Sequence, residues 1–302
     1  MPSRRAVLQL PIALLARRLA FGKNAEVMHT RPIPRTGEQL PVIGLGTWQT
    51  FDVGADRKAR APLDDVLRTL LDAGARVIDS SPMYGRAEEV TGDELAAIGA
   101  AQPFLATKVW TSGKQAGIDQ MKRSMQRMRT ARLDLMQIHN LLDWQTHLPV
   151  LREWKAAGTI RYIGVTHYQH SQFAAIEQLM KREQLDFIQI PYSIVDRTAE
   201  ARILPAARDT GTAVLVMTPF ESGALFGQVK AKPLPSWAGE LGCTSWAQVF
   251  LKFILGHPAV TCPIPATSKP AHVADNVLAG LGPLPDEAMR AKMAAAVTGT
   301  SR

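Results

Sequence analysis

The feature that most constrains the fold is a repeat. From residue 40 onward, short apolar runs begin at Val42, Val77, Phe104, Leu133, Ile160, Phe187, Ala213 and Val260. The runs are 4–8 residues long and rich in Val, Ile, Leu and Phe. Runs that are apolar throughout suit strands buried on both faces. Five of the seven intervals between run starts are 26–29 residues, the length of one strand, one helix and two loops. Helical patterns fill the intervals. Residues 62–72 open with Pro62 at a first-turn position and put Leu63, Val66, Leu67, Leu70 and Leu71 on one face. Ser171 is placed to cap the next clear pattern, and Thr244 or Ser245 the one before Val249. Gly74, Gly158, Gly211 and Gly256 fall just after helical stretches, as C-terminal caps do.

Eight strand–helix units over about 260 residues predict a (β/α)8 TIM barrel, an α/β fold whose usual size is about 250 residues. The rival is a doubly wound open sheet, which announces a dinucleotide site by G-x-G-x-x-G after its first strand. The first run here ends Gly44-Leu45-Gly46-Thr47-Trp48, with no third glycine. Residues 30–40, turning at Thr36-Gly37-Glu38, are expected to form a β-hairpin at the barrel floor. The 47-residue interval after the seventh run contains Lys232-Pro233-Leu234-Pro235 and predicts a long loop on the catalytic face.

Composition excludes several other classes. Only Cys243 and Cys262 occur, so there is no disulfide framework and no C-x-x-C zinc ribbon. No metal site is expected, since no H-x-H pair or comparable ligand cluster ends a strand. The formal charge is +8, but residues 1–40 supply +5 of it and the remaining 262 residues only +3. A nearly balanced body does not suit nucleic acid. No apolar run reaches the roughly 18 residues of a bilayer span. Residues 1–28 form a separate N-terminal segment ahead of a single barrel domain over 29–302. Arg4-Arg5 before an apolar stretch resembles a twin-arginine export signal, and a frayed basic terminus is the other reading. Location is therefore left between cytoplasmic and periplasmic.

Active sites of such barrels lie at the C-terminal ends of the strands. Asp79 ends the second strand, Lys108 the third and His139 the fourth, and Tyr84 follows Asp79 by five residues. A lysine near the end of an apolar strand is costly unless paired, and Asp79 is the natural partner. An ammonium lowers the pKa of a nearby phenol, and a neutral imidazole holds a carbonyl oxygen beside it. Such a cluster suits delivering a proton to a carbonyl oxygen while hydride reaches the carbon.

These motifs resemble the aldo-keto reductase family. The resemblance is carried by residues 43–48, Asp79-Ser80-Ser81-Pro82-Met83-Tyr84-Gly85, Thr107-Lys108-Val109, Gln137-Ile138-His139, Gly164-Val165-Thr166, Gln189 ahead of Tyr192-Ser193, and residues 264–269. It implies a catalytic tetrad of Asp79, Tyr84, Lys108 and His139, with Tyr84 the general acid in carbonyl reduction. It implies NADPH bound across the barrel mouth. Gly46, Thr47 and Trp48 match its first loop, Thr166, His167 and Gln189 its carboxamide positions, and Tyr192 the aromatic that stacks on nicotinamide. Pro219, Gly223 and Leu225 match the pyrophosphate loop, Thr267, Ser268 and Lys269 the 2′-phosphate region, and Asp275 and Asn276 the adenine contacts. His167 and His272 depart from the residues common at their positions. Trp48, Trp110, Leu141, Asp143 and Trp144 are the expected substrate pocket. The resemblance implies a small-molecule carbonyl substrate and a monomer or weak oligomer. Two readings of other classes stay open: a cofactor-binding sensor or auxiliary subunit on the same barrel, and a Schiff-base aldolase using Lys108.

Overall fold

The computed structural model describes residues 27–100 and 103–299. The twin-arginine reading falls on residues outside these. The chain opens with an antiparallel hairpin, β1 (Thr30–Pro32) and β2 (Gln39–Pro41). Strand–helix alternation follows: β3 (Leu45–Gly46), α1 (Arg57–Asp72), β4 (Val77–Asp79), α2 (Ala87–Ala97), β5 (Phe104–Val109) and α3 (Lys114–Arg127). The middle of the chain supplies β6 (Leu133–His139), α4 (Trp144–Ala156), β7 (Ile160–Thr166), α5 (Phe173–Glu183), β8 (Phe187–Pro191) and α6 (Ile203–Thr210). The last units are β9 (Ala213–Met217), α7 (Ala224–Val229), α8 (Trp246–Leu255), β10 (Cys262–Pro263), α9 (Pro270–Leu278) and α10 (Glu287–Thr298).

Among the described residues, β3 to β10 form one eight-stranded sheet, in chain order and parallel throughout. The sheet closes where Gly44 N–H donates to Pro263 O (3.0 Å) and Gly46 N–H to Pro265 O (3.2 Å). Closure needs the glycines: a Cβ on Gly46 would lie 2.8 Å from the Ile264 carbonyl oxygen. The barrel is therefore (β/α)8 with an added hairpin, as the repeat predicts.

Side chains alternate along each strand, so one parity fills the interior. Val77, Phe104, Ala106, Leu135, Tyr162, Phe187, Ala213, Leu215, Cys262 and Ile264 form that inner cluster. Ile33 and Leu40 of the hairpin join it from below, at the starts of the strands. The hairpin is pinned there by Thr36 Oγ1 on the Tyr162 hydroxyl (3.1 Å) and by that hydroxyl donating to Glu38 (2.5 Å). The opposite parity packs outward under the helices, in a second cluster holding Val66, Leu67, Ile138, Ile188, Phe250 and Phe253.

Several local expectations are corrected. α1 starts five residues before Pro62, because Asp56 caps it by accepting from Lys58 N–H (3.1 Å), and Pro62 is tolerated inside. Ser171 caps nothing: α5 begins at Phe173 after a 3-10 turn over His170–Gln172. Ser245, not Thr244, caps α8, accepting from Gln248 N–H (3.1 Å). Gly74, Gly158 and Gly211 are left-handed, but Gly256 is not. Its reason is crowding, since a Cβ there would lie 2.7 Å from Pro285 O. Met28, assigned to the leading segment, is buried against Gly280.

Candidate active site

The inner parity continues upward from the core into polar side chains. Val77 is followed two residues on by Asp79, Ala106 by Lys108, Leu135 by Gln137 and then His139, Phe187 by Gln189, and Leu215 by Met217. The same register that packs the floor therefore aims these groups into the mouth.

Asp79 and Lys108 are 2% and 1% exposed. The Lys108 ammonium donates to Asp79 Oδ2 (2.6 Å) and to Ser80 O (2.7 Å). Gln137 Nε2 donates to Asp79 Oδ1 (3.0 Å), and Gln189 Nε2 to Oδ2 (3.1 Å). Three side chains thus compensate one buried carboxylate. The Lys108 ammonium lies 5.0 Å from the centre of the Tyr84 ring. Burial works against its charge, but Asp79 and Tyr84 outweigh this and raise its pKa.

Tyr84 is carried on the loop between β4 and α2. Asp52 holds that loop by accepting from Arg86 N–H (2.9 Å). Gly85 makes this approach possible, because a Cβ there would lie 2.3 Å from the Asp52 carboxylate and its φ is +59°. The expected lowering of the Tyr84 pKa is not what the site produces. Burial raises it, Lys108 lowers it, and Asp79 raises it again; the net direction is upward. The ammonium's influence is offset by the carboxylate that neutralises it. Tyr84 accordingly keeps its proton at neutral pH.

His139 is 8% exposed and its Nδ1 lies 3.1 Å from Ser81 Oγ. Burial, then the Lys108 charge, then His167 push its pKa down to about 3. It is a neutral imidazole, meeting the Tyr84 ring edge-on at 6.1 Å. The backbone just past it is strained, with Asn140, Leu141 and Asp143 at φ of 54°, 55° and 50°.

These groups floor a cavity of about 980 Å³. Of the expected cofactor residues, Gly46, Thr47, Trp48, Thr166, Gln189, Pro219, Gly223, Thr267, Asp275 and Asn276 line it. His167, Tyr192, Leu225, Ser268 and Lys269 do not. Tyr192 lies three residues past Gln189 and so takes the opposite parity. It is fully buried outside the barrel, with its hydroxyl donating to Glu200 (2.6 Å) and its ring 6.1 Å from that of Phe253. The His167 imidazole turns to accept from Gln169 N–H (3.0 Å) and stacks on Tyr168. Leu225 is buried core, while Ser268 and Lys269 are exposed at the start of α9.

Of the expected pocket residues, Trp48 lines the cavity; Trp110 does not, though its ring lies 6.3 Å from that of His139. Leu141 and Trp144 pack on the core. Asp143 accepts from Gly113 N–H (2.7 Å) and Thr146 Oγ1 (2.8 Å). Residues that the sequence reading passed over are Met83, Tyr168, Met217, Phe226 and Trp246, all in the lining. Strand parity points to Met217, two residues past Leu215; the others lie on loops or helices with no periodic signal.

The cavity has features that fit a nicotinamide dinucleotide. Gln189 Oε1 is buried without a hydrogen-bond partner, as is Thr50 Oγ1, and both residues line the cavity. A buried unpaired amide oxygen is costly and matches a carboxamide N–H donor. At the far end Ser245, Thr267, His272, Asp275 and Asn276 offer polar groups, with Asp275 fixed by Ser245 Oγ and Gln248 Nε2 (both 2.6 Å).

Known proteins resemble this chain over most of its length. The model of the aldo/keto reductase family matches residues 42–296. Methylglyoxal reductase YeaE of Escherichia coli is 28% identical over 257 residues, covering 82% of this chain and 89% of that protein. The NADH-specific methylglyoxal reductase of the same organism is 28% identical over 244 residues, covering 68% and 72%. An aldo-keto reductase from Klebsiella pneumoniae, solved with NADPH, superposes with a TM-score of 0.75 at 25% identity, covering 91% of this chain and 97% of that one.

Proposed function

Since the chain belongs to the aldo/keto reductase family, NAD(P)H-dependent oxidoreductases acting on carbonyl groups, we propose that it reduces an aldehyde or ketone to the alcohol with NADPH, Tyr84 supplying the proton. The observation that carries this reading is the buried Asp79–Lys108 pair lying beneath the phenol of Tyr84.

When bound, the reduced nicotinamide supplies hydride to the carbonyl carbon. Gln189 and Thr166 would hold its carboxamide, and Ser222, Gly223, Thr267, Asp275 and Asn276 the remainder. Tyr84 enters the step protonated, since burial keeps its pKa high. As the Tyr84 O–H bond breaks and its proton passes to the carbonyl oxygen, negative charge grows on the phenol oxygen. The Lys108 ammonium is already in place to stabilise that charge in a low-dielectric site. Asp79 keeps the ammonium charged and oriented, and Gln137 and Gln189 hold the Asp79 carboxylate in place by donating to it. Neutral His139 offers a ring N–H to the carbonyl oxygen without competing as an acid.

The charged state of Lys108 favours this reading over Schiff-base chemistry, which needs a neutral amine. The preference for NADPH is supported by the Klebsiella neighbour and by exposed Lys269 beside Thr267; Ser268 and Thr267 bring no acid to repel a 2′-phosphate. The test is a panel of aldehydes and ketones with NADPH and with NADH, followed by loss of reduced-nicotinamide absorbance. Turnover with NADPH ahead of NADH is expected. Binding without turnover supports the sensor reading, and a preference for NADH refutes the cofactor assignment.

A further inference from the structure

This inference rests on the carbonyl-reductase reading and adds a residue that positions one of its groups. A neutral imidazole can serve a carbonyl oxygen only through its one ring N–H. The hydrogen bond made at the other nitrogen decides which nitrogen carries that proton. For His139 the second nitrogen is Nδ1, which lies 3.1 Å from Ser81 Oγ.

Distance alone does not give the direction of this bond, but the surroundings of Ser81 do. Ser81 is fully buried. Met83 N–H donates to its Oγ (3.5 Å), so the turn itself takes one lone pair of the hydroxyl. Among the described residues, the one acceptor within hydrogen-bond reach of that hydroxyl is His139 Nδ1. A buried O–H without an acceptor is costly. The hydroxyl therefore donates to Nδ1, which leaves the ring proton on Nε2. Among the described residues no protein group is hydrogen-bonded to Nε2, and His139 lines the cavity.

We propose that Ser81 fixes the Nε2–H tautomer of His139 and so is a positioning residue for carbonyl reduction. The opposite tautomer would turn a nitrogen lone pair toward the carbonyl oxygen, where the two repel. Ser81 also acts through its backbone, since its carbonyl accepts from Tyr84 N–H (3.0 Å). One residue thus ties the turn that carries the acid to the imidazole that aligns the substrate oxygen.

The test reads the tautomer directly, by imidazole 15N NMR of the full chain near neutral pH. The His139 resonances are those missing from His139→Asn. Wild type should show Nε2 protonated and Nδ1 accepting a hydrogen bond. Ser81→Ala should shift the Nδ1 resonance to that of an unpaired nitrogen. It should also lower kcat for an aldehyde about tenfold while the NADPH Kd stays within about twofold of wild type. Ser81→Thr, which keeps the hydroxyl, should recover kcat to within about threefold of wild type. A wild-type His139 protonated on Nδ1 overturns the assignment whatever the variants do. So does Ser81→Ala with wild-type kcat, or Ser81→Thr that binds NADPH and is as slow as Ser81→Ala; each of these leaves carbonyl reduction standing. A wild type that turns over no carbonyl overturns the reductase reading, and with it the role given to Ser81.

Discussion

Replacing His139 by Asn should remove a defined part of the protein's sensitivity to acid. In the folded chain this imidazole titrates at about 3, chiefly because it is buried, and further because Lys108 and His167 lie nearby. In the unfolded chain it titrates near its ordinary value of about 6.5. Between those values the unfolded state binds a proton that the folded state refuses. Stability from the neutral imidazole is therefore complete above about pH 6.5 and drains as pH falls toward about 3, at about 1.4 kcal/mol per pH unit. From about pH 6.5 to about pH 4.5 the wild type should lose about 2 kcal/mol more than His139→Asn. Urea unfolding followed by tryptophan fluorescence across this range measures the difference. His257, held down to about 4 by burial, is common to both proteins and cancels. A wild-type-minus-variant difference that stays flat across the range refutes the claim that His139 is held neutral.

Other perturbations act on the same cluster. Lys108→Met should lower kcat about 100-fold or more by removing the charge that stabilises the forming phenolate, and it should push the Tyr84 pKa still higher, since Lys108 is the group that lowers it; the alkaline rise in alcohol oxidation should move to higher pH, as read from a pH–rate profile. Gln137 donates to Asp79 but does not line the cavity, whereas Gln189 does both. Gln137→Leu should therefore lower kcat with little change in cofactor Kd, while Gln189→Leu should weaken cofactor binding as well, as measured by fluorescence titration and steady-state rates.

Much of this was legible in the sequence because the strands are buried on both faces. Apolar runs starting at Val77, Phe104, Leu133, Ile160, Phe187 and Ala213 begin where strands begin. The first and last were harder. Around Gly44, Gly46, Pro263 and Pro265 the chain approaches itself too closely, and lacks too many N–H donors, to build a long ladder, so β3 and β10 are two residues each. Asp79, Lys108 and His139 were readable as strand ends. Motif order points Tyr192 at the cofactor, but alternation from Gln189 puts it on the outer face, and alternation from Leu215 brings Met217 into the cavity. The direction of the Tyr84 pKa was hidden for another reason. A sequence shows the ammonium and the carboxylate but not the depth of burial, and burial decides the sign. Residues such as Tyr168 on a loop and Phe226 on the short α7 enter the cavity through backbone geometry that no local period encodes.

Tyr84→Phe tests the central claim most directly, because it removes one oxygen and leaves the ring beside Lys108 and His139. The account expects NADPH to bind with a Kd within about threefold of wild type, while carbonyl reduction falls by about 1,000-fold. A variant that binds NADPH normally and still reduces carbonyls within about tenfold of the wild-type kcat would contradict it.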